Sequence, residues 1–528
     1  MAMKKGRGGG GEQPYAISIG RAIAGLGLFL LLCLVFLYSR TEKGDEVKRS
    51  HDDYDAREEE NRVYLEKVAA GQQQQQQQQL FYIYPWPEDV VNRWPRVHTH
   101  FRQAIPEVYA QNGGLGPLVD RASGRYHTHQ YSLFRTFLRR LGESPLRTLD
   151  PDRASLFFVP YDLGMDASAR QSDGALCRTD CPKLHEASAL LRASPHFARR
   201  LGSDHFLLHS INQMMLHYAT MPCLRGLYEH LCFNCTKLSL DVYPPEMYPA
   251  IKRHAFLRHA WVSVPFPSDF HFGVDTTAPL WRWGHAKDSA AERAAVTSEY
   301  GSRGGSRPVL VAYLGTEKVT AARQTELRTA IRVECRRRRT KVRGQAVDGV
   351  RDCVAAALPI HDSHALLNAT QGHDVSLYAR SRLCLMPGGD FPTRKGFFDA
   401  LLSGCVPVIF QESSGISQWA WHWLPREDVA ADASSPAEVQ RAASEVASAC
   451  TILVSRRAFM LDASRGLDQL VAMALDPALL AAKRRCLARV AVRMQYSAPG
   501  SLPGGAPDAV DVVLERLLSS PDEKKPRI

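Results

Sequence analysis

The sequence predicts an α/β protein with two parallel, helix-covered sheets facing a cleft, behind one apolar N-terminal helix. Three observations predict it. Short apolar runs alternate with helical patterns from Leu80 to Phe410, the rhythm of strand and covering helix. A polar stretch at 284–307, rich in Gly, Ser, Ala and Arg, splits that series in two. A charge-free run, Ala22–Tyr38, precedes both.

The elements follow in chain order. Lys4, Lys5, Arg7 and Arg21 lie before the apolar run. Its length sits at the short end for a spanning helix and suits a thin early-secretory membrane. A cleaved leader is the rival, but Leu37-Tyr38-Ser39-Arg40 is a poor cleavage site. The reading is a cytosolic tail at 1–21 and an uncleaved transmembrane anchor at 22–39, with the rest in a lumen. Residues 40–79 are polar and end in eight glutamines, Gln72–Gln79, which reads as a disordered stem.

The first half of the series is assigned to 80–290. Leu80–Tyr84 is β-rich and stops at Pro85-Trp86-Pro87. Tyr131–Leu141 places Leu133, Phe134, Phe137, Leu138 and Leu141 at helical spacing. Ala154–Val159 is an unbroken apolar run ending at Pro160, as in a strand buried on both faces. His205–His209 is another short strand. The second half is assigned to 300–490. Pro308–Leu314 is a strand closed by Gly315-Thr316, and Thr325–Arg336 is a helix. Leu383–Met386 is a strand, Lys395–Ser403 a helix and Val406–Phe410 a strand. Residues 491–528 are left as a C-terminal tail. Two such halves describe Rossmann-like domains, and a ligand sits at the carboxyl ends of their strands.

Composition bounds the rest. The 528 residues are 45% hydrophobic and 23% charged, with net charge +11. The basic residues are scattered, and the densest run, Arg336–Arg339, has no aromatics between them. That argues against nucleic acid and for a solvated helix end. Of twelve cysteines, Cys33 falls in the anchor, while Cys177 and Cys181, and Cys232 and Cys235, are close pairs. Zinc is one reading; disulfides in an oxidising lumen fit better, with connectivity unreadable. Asn234 and Asn368 open N-glycosylation sequons.

Chemistry concentrates between Leu383 and Pro425. A buried strand ends at Met386, and a glycine-bearing loop follows, where backbone can approach a ligand closely. Thr393, Arg394 and Lys395 open a helix, so amides, a hydroxyl and two cations form an anion site. Asp399 lies one turn further, placed to accept hydrogen bonds from sugar hydroxyls. A capped helix with solvated charges is the alternative reading.

This window resembles the signature of the exostosin-like family 47 glycosyltransferases, P-x-G-D-x-x-T-R-x-x-x-F-D-x-x-x-x-G-C-x-P-V. Its continuation, Gln418 to Pro425, is similar to the xyloglucan galactosyltransferase branch. Phe81–Tyr84, Thr148–Pro151, Ala154–Pro160 and Gly202–Phe206 match further family segments in order. The resemblance implies the two-domain GT-B fold and an inverting transfer of a sugar, galactose or a related one. It implies a UDP-sugar donor, a polysaccharide acceptor and the Golgi membrane, in single-pass type II orientation with the catalytic part lumenal. Gly315, Gly389, Asp390, Thr393, Arg394, Lys395 and Asp399 line the donor site on this reading. Gly388 and Gly396 stand where the exostosins proper carry Arg, which shifts the chain toward the plant-wall branch.

An inverting transfer needs a base on the acceptor hydroxyl. Asp166 is the first candidate, with Asp162 and His205 as alternatives; turn capping and a structural histidine are the bland readings of these. No cofactor or metal is implied, since Asp150-Pro151-Asp152 reads as a turn rather than a manganese motif. Association with itself or with other transferases is compatible with the sequence. The alternative function is a catalytically inactive partner in a polysaccharide-synthesis complex.

Overall fold

The computed structural model describes residues 79–91, 107–162, 182–210, 212–213, 231–243, 261–272, 306–316, 322–342, 351–356, 375–424, 436–500 and 507–519. All lie in one compact unit, Gln79–Ile528. Among them no helix is long and apolar enough to cross a membrane. The expected anchor at 22–39, the stem through Gln78, Asp166, Asn368, Cys177 and Cys181 lie outside the described residues.

The first lobe is a parallel sheet in the order β2-β1-β3-β4-β5-β6. The strands are β1 (Leu80–Ile83), β2 (Arg147–Thr148), β3 (Ala154–Phe158), β4 (His205–His209), β5 (Thr236–Ser239) and β6 (Trp261–Ser263). The second lobe repeats the plan in the order β8-β7-β9-β10-β11. Its strands are β7 (Val309–Leu314), β8 (Arg351–Ala356), β9 (Ser381–Met386), β10 (Val406–Ile409) and β11 (Ile452–Leu453). All pairings in both sheets are parallel. Every residue of β4, β7, β9 and β10 is buried. Such strands have no solvent face, so they read as near-continuous apolar runs rather than alternation.

The covering helices that bear on the site are few. α1 (Leu133–Glu143) turns Leu133, Phe134, Phe137 and Leu141 inward. α2 spans Pro182–Arg192. α3 (Ala322–Val342) is held to β8 by the Cys335–Cys353 disulfide. α4 (Lys395–Leu402) ends at Gly404, whose φ of +78° is left-handed. A Cβ there would sit 2.6 Å from Arg484 Nη2. Only glycine adopts that turn without strain. The Cys384–Cys405 disulfide ties β9 to the residue before β10. α5 (Pro436–Cys450) and α7 (Pro477–Val490) are joined by Cys450–Cys486, with α6 (Ala463–Ala474) between them. The arginine run is partly paired, not merely solvated. Arg337 and Arg338 bond Glu334, and Arg338 reaches Asp468 on α6.

The lobes are bolted together by the C-terminal segment. Residues 509–518, read from the sequence as part of a tail, form α8, opened by a capping box between Asp508 and Asp511. Tyr496 O accepts from His271 Nδ1 at 2.6 Å, and Tyr496 Oη donates to Pro265 O at 2.7 Å. Arg140 of α1, 2% exposed, meets the fully buried Asp508 at 2.6 Å. Burial pushes Asp508 up, but Arg140 and the Ser497 and Asp511 amides hold it below the usual carboxylate range. Arg140→Ala strands that carboxylate, so the variant is expected to lose about 3–5 kcal/mol, read by denaturant unfolding. Because the folded pKa is depressed, the wild-type pair's contribution is present above the unfolded value and fades as pH falls through the folded one.

Candidate functional site

The site is built by two strand ends. β7 and β9 are neighbours, while the chain runs outward from β7 to β8 and from β9 to β10. The order reverses between them, and an open parallel sheet leaves a crevice at the carboxyl ends there. Gly315 follows β7, and Pro387-Gly388-Gly389 follows β9. The glycine loop is closed by Gly389 N donating to Phe391 O at 2.7 Å.

Two arginines converge on this crevice. Arg394 is the residue before α4, with extended backbone and no side chain capping the helix. Its Nη2 donates to Leu314 O at 2.6 Å, and its guanidinium lies 6.0 Å over the Tyr313 ring. Its Nη1 is buried and has no hydrogen-bond partner among the described residues. Room for this guanidinium comes from two glycines. A Cβ on Gly396 would lie 2.8 Å from Arg394 Nη2, and one on Gly315 would lie 3.1 Å away. The second arginine, Arg328 on α3, was missed by the sequence reading. It is 3% exposed and grips Gly388 O through Nε and Nη2 at 3.1 and 2.7 Å. Its Nη1 donates to Thr316 Oγ1 at 2.7 Å. Burial and the charge of Arg394 push Arg328 down to about 10, so Arg328 remains a cation at neutral pH. Asp390 is exposed, and its charge favours Arg328.

Thr393, Lys395 and Asp399 turn the other way, toward the first lobe. Thr393 Oγ1 donates to Asp241 Oδ2 at 2.7 Å and accepts from Asn212 Nδ2 at 3.2 Å. Lys395 Nζ lies 2.5 Å from Asp269 Oδ1 and 2.9 Å from Asp399 Oδ1. Asp399 Oδ1 also accepts from Ser268 Oγ and Asp269 N at 3.1 and 2.8 Å. Burial would depress the Lys395 ammonium, but two carboxylates hold it above its ordinary range. Burial drives Asp399 up, against the pull of Lys395. Asp399, expected to face a sugar, has both oxygens engaged within 4% residue exposure. Its geometry joins the lobes and anchors α4.

Gln418 and Trp419 have the same kind of role. Gln418 exchanges hydrogen bonds with Val242 N and O at 3.0 and 2.9 Å. Trp419 holds a left-handed φ of 55°, a strain of about 1–3 kcal/mol. Its N donates to Ser263 Oγ and its Nε1 to Leu240 O, at 2.7 and 3.1 Å. Those bonds keep the strained turn in place.

The base candidates separate. Asp162 lies just past β3, 7% exposed, with Oδ1 accepting from Ser210 N at 3.1 Å. It stands at the carboxyl end of the first sheet, on the side of the lobe junction. His205 opens β4, four residues before its end, roughly 13 Å down the strand. Its Nε2 meets Tyr84 Oη at 2.8 Å and its Nδ1 meets Asp204 Oδ1 at 2.7 Å. Its ring stacks on Phe157 at 4.8 Å. His205→Ala is expected to cost about 1–3 kcal/mol by removing one hydrogen bond from each of two buried groups, Tyr84 Oη and Asp204, with donor KM unchanged; thermal melts beside steady-state rates check this. Asn234 is exposed. The Asp150-Pro151-Asp152 segment is a turn, in which Asp150 Oδ1 accepts from Asp152 N at 3.0 Å.

Known proteins are similar to this chain over most of its described length. The exostosin GT47 domain matches residues 75–437. A xyloglucan-specific galacturonosyltransferase of Arabidopsis thaliana is 26% identical over 60% of this chain and 41% of its own length. A probable xyloglucan galactosyltransferase of that plant, GT19, is 28% identical over 61% of this chain and 66% of its own. The xyloglucan galactosyltransferase MUR3 is 24% identical over 60% and 45%. The chain thus matches between about two fifths and two thirds of the length of these relatives. The glycine loop, Arg394 and the α4 turn all fall inside the matched span, and the chain belongs to the exostosin GT47 family.

Proposed function

We propose that the chain is an inverting glycosyltransferase of the GT-B type that moves galactose or a related sugar from a UDP-sugar to a polysaccharide. The observation that carries it is the buried Arg394 Nη1, with no hydrogen-bond partner among the described residues, beside a second arginine and a glycine loop. A buried donor left unmade costs about 1–3 kcal/mol, and a diphosphate repays it. Arg394 and Arg328 are the cations that take up the charge developing on the leaving diphosphate. They supply what a metal supplies elsewhere, so chelator is expected to leave the rate unchanged. Gly315 and Gly389 let backbone approach the donor. Asp162 and Asp166 are the proposed bases on the acceptor side.

The relatives' names, which specify xyloglucan, support a wall glycan as acceptor. Four disulfides among the described residues suit an oxidising compartment. They support the lumen of the Golgi, with the catalytic part on that side of a single-pass anchor. The test is detergent-solubilised full chain with a panel of UDP-sugars and glycan acceptors. UDP release that requires one donor supports the reading. No donor bound or hydrolysed at millimolar concentration overturns it in favour of a non-catalytic partner.

A further inference from the structure

Residues 232–236 combine three features that the crevice does not use. Cys232 and Cys235 are bridged, and both are buried. Gly202, with φ of +83°, packs on the bridge, where a Cβ would collide with Cys232 Sγ and lie 3.2 Å from Cys235 Sγ. Lys237 Nζ donates to Phe233 O and Cys235 O at 2.7 and 2.8 Å, tying the turn's carbonyls from within. Thr236, the hydroxyl residue of the sequon, is 7% exposed and opens β5, paired in register with Phe206 of β4. Asn234 faces solvent beside the exposed Phe233, its Nδ2 donating to Leu201 O at 3.2 Å.

A glycan is added when Asn Nδ2 bonds the anomeric carbon of a lipid-diphosphate oligosaccharide. The sugar–phosphate bond breaks, the lipid diphosphate leaves, and the amide loses a proton. The transferring enzyme must reach the asparagine and the hydroxyl two residues on, which places usable sequons on accessible chain. The folded turn offers the first and hides the second. Opening it requires unpairing β5 and releasing a disulfide-closed loop.

We propose that Asn234 accepts an N-glycan only while Cys232 and Cys235 are still thiols, so that disulfide closure ends the modification. Closure passes two electrons and two protons to a lumenal disulfide oxidant, and the sequon's middle residue is then locked. A glycan added earlier stays on, because Asn234 itself is exposed. This rests on the lumenal reading above.

The experiment expresses the full chain, carrying a C-terminal sequon tag, in a secretory host and reads site occupancy by mass spectrometry. Partial occupancy at Asn234 is expected in the wild type, rising to full in the Cys232→Ser, Cys235→Ser double variant. A dithiothreitol pulse during synthesis is expected to do the same without any substitution. Cys450→Ser, which breaks a disulfide elsewhere, is expected to leave Asn234 occupancy as in the wild type. Equal occupancy in all arms overturns the proposal, and so does an equal rise with Cys450→Ser, which marks slow folding in general. A tag left bare overturns the lumenal reading and this proposal with it; a modified tag with Asn234 bare throughout overturns this proposal alone.

Discussion

Arg394→Ala is expected to cut kcat/KM for the nucleotide-sugar about 100- to 1,000-fold, the usual loss when one preorganised donor to a developing charge is removed. The argument is the geometry of one guanidinium. One edge is anchored on Leu314 O and lies against Tyr313, while Nη1 stays buried with no partner among the described residues. The anchored edge aims the other. Stability should barely move, because the variant gives up one hydrogen bond, about 1 kcal/mol. Arg394→Lys is expected to recover little, since an ammonium cannot bond Leu314 O and a phosphate oxygen in the same planar fork. Titration of UDP into each variant, with a thermal melt alongside, checks this. UDP bound by the alanine variant as tightly as by the wild type would remove the diphosphate from this crevice.

How much of this was legible in the sequence follows from physics. β3, β4, β7, β9 and β10 were readable because they are buried on both faces except at Ser155 of β3, and so read as short, nearly continuous apolar runs. β8, with the sequence RDCVAA, and β6, three residues long, carry too little pattern to distinguish strand from loop. The glycine loop and Arg394 were legible because a strand end, glycines and a cationic helix start adjoin in the chain. Arg328 was not, for it lies 60 residues from the carbonyl it grips, on a helix with arginines all along it. Asp399 was read as facing the cleft because Ser268 and Asp269, its partners across the lobes, are 130 residues or more away. His205 could be assigned to a strand but not to an end of the crevice, since register is a property of the sheet.

Lys395→Met should produce a loss of stability as large as that of Arg140→Ala. Lys395 is 17% exposed and touches two carboxylates whose side chains are 5% and 6% exposed. Removing it leaves Asp269 and Asp399 side by side in a poorly solvated junction. Breaking such a buried ionic group from one side costs about 3–5 kcal/mol. The sign of its pH dependence is fixed. Without the ammonium, one carboxyl must take a proton to stay buried, so its folded pKa lies above its unfolded one. Stability in the variant is then fullest below the unfolded value and lost as pH rises through the folded value. The deficit against wild type should therefore be larger at pH 8 than at pH 5, measured by denaturant unfolding at both. Asp399→Asn in the Lys395→Met background should recover part of it, because one buried charge goes while Ser268 and the Asp269 amide keep an acceptor. A deficit independent of pH would mean that the two carboxylates do not face each other across the lobes. Donor binding should weaken too, since the residue that anchors α4 to the first lobe immediately follows Arg394.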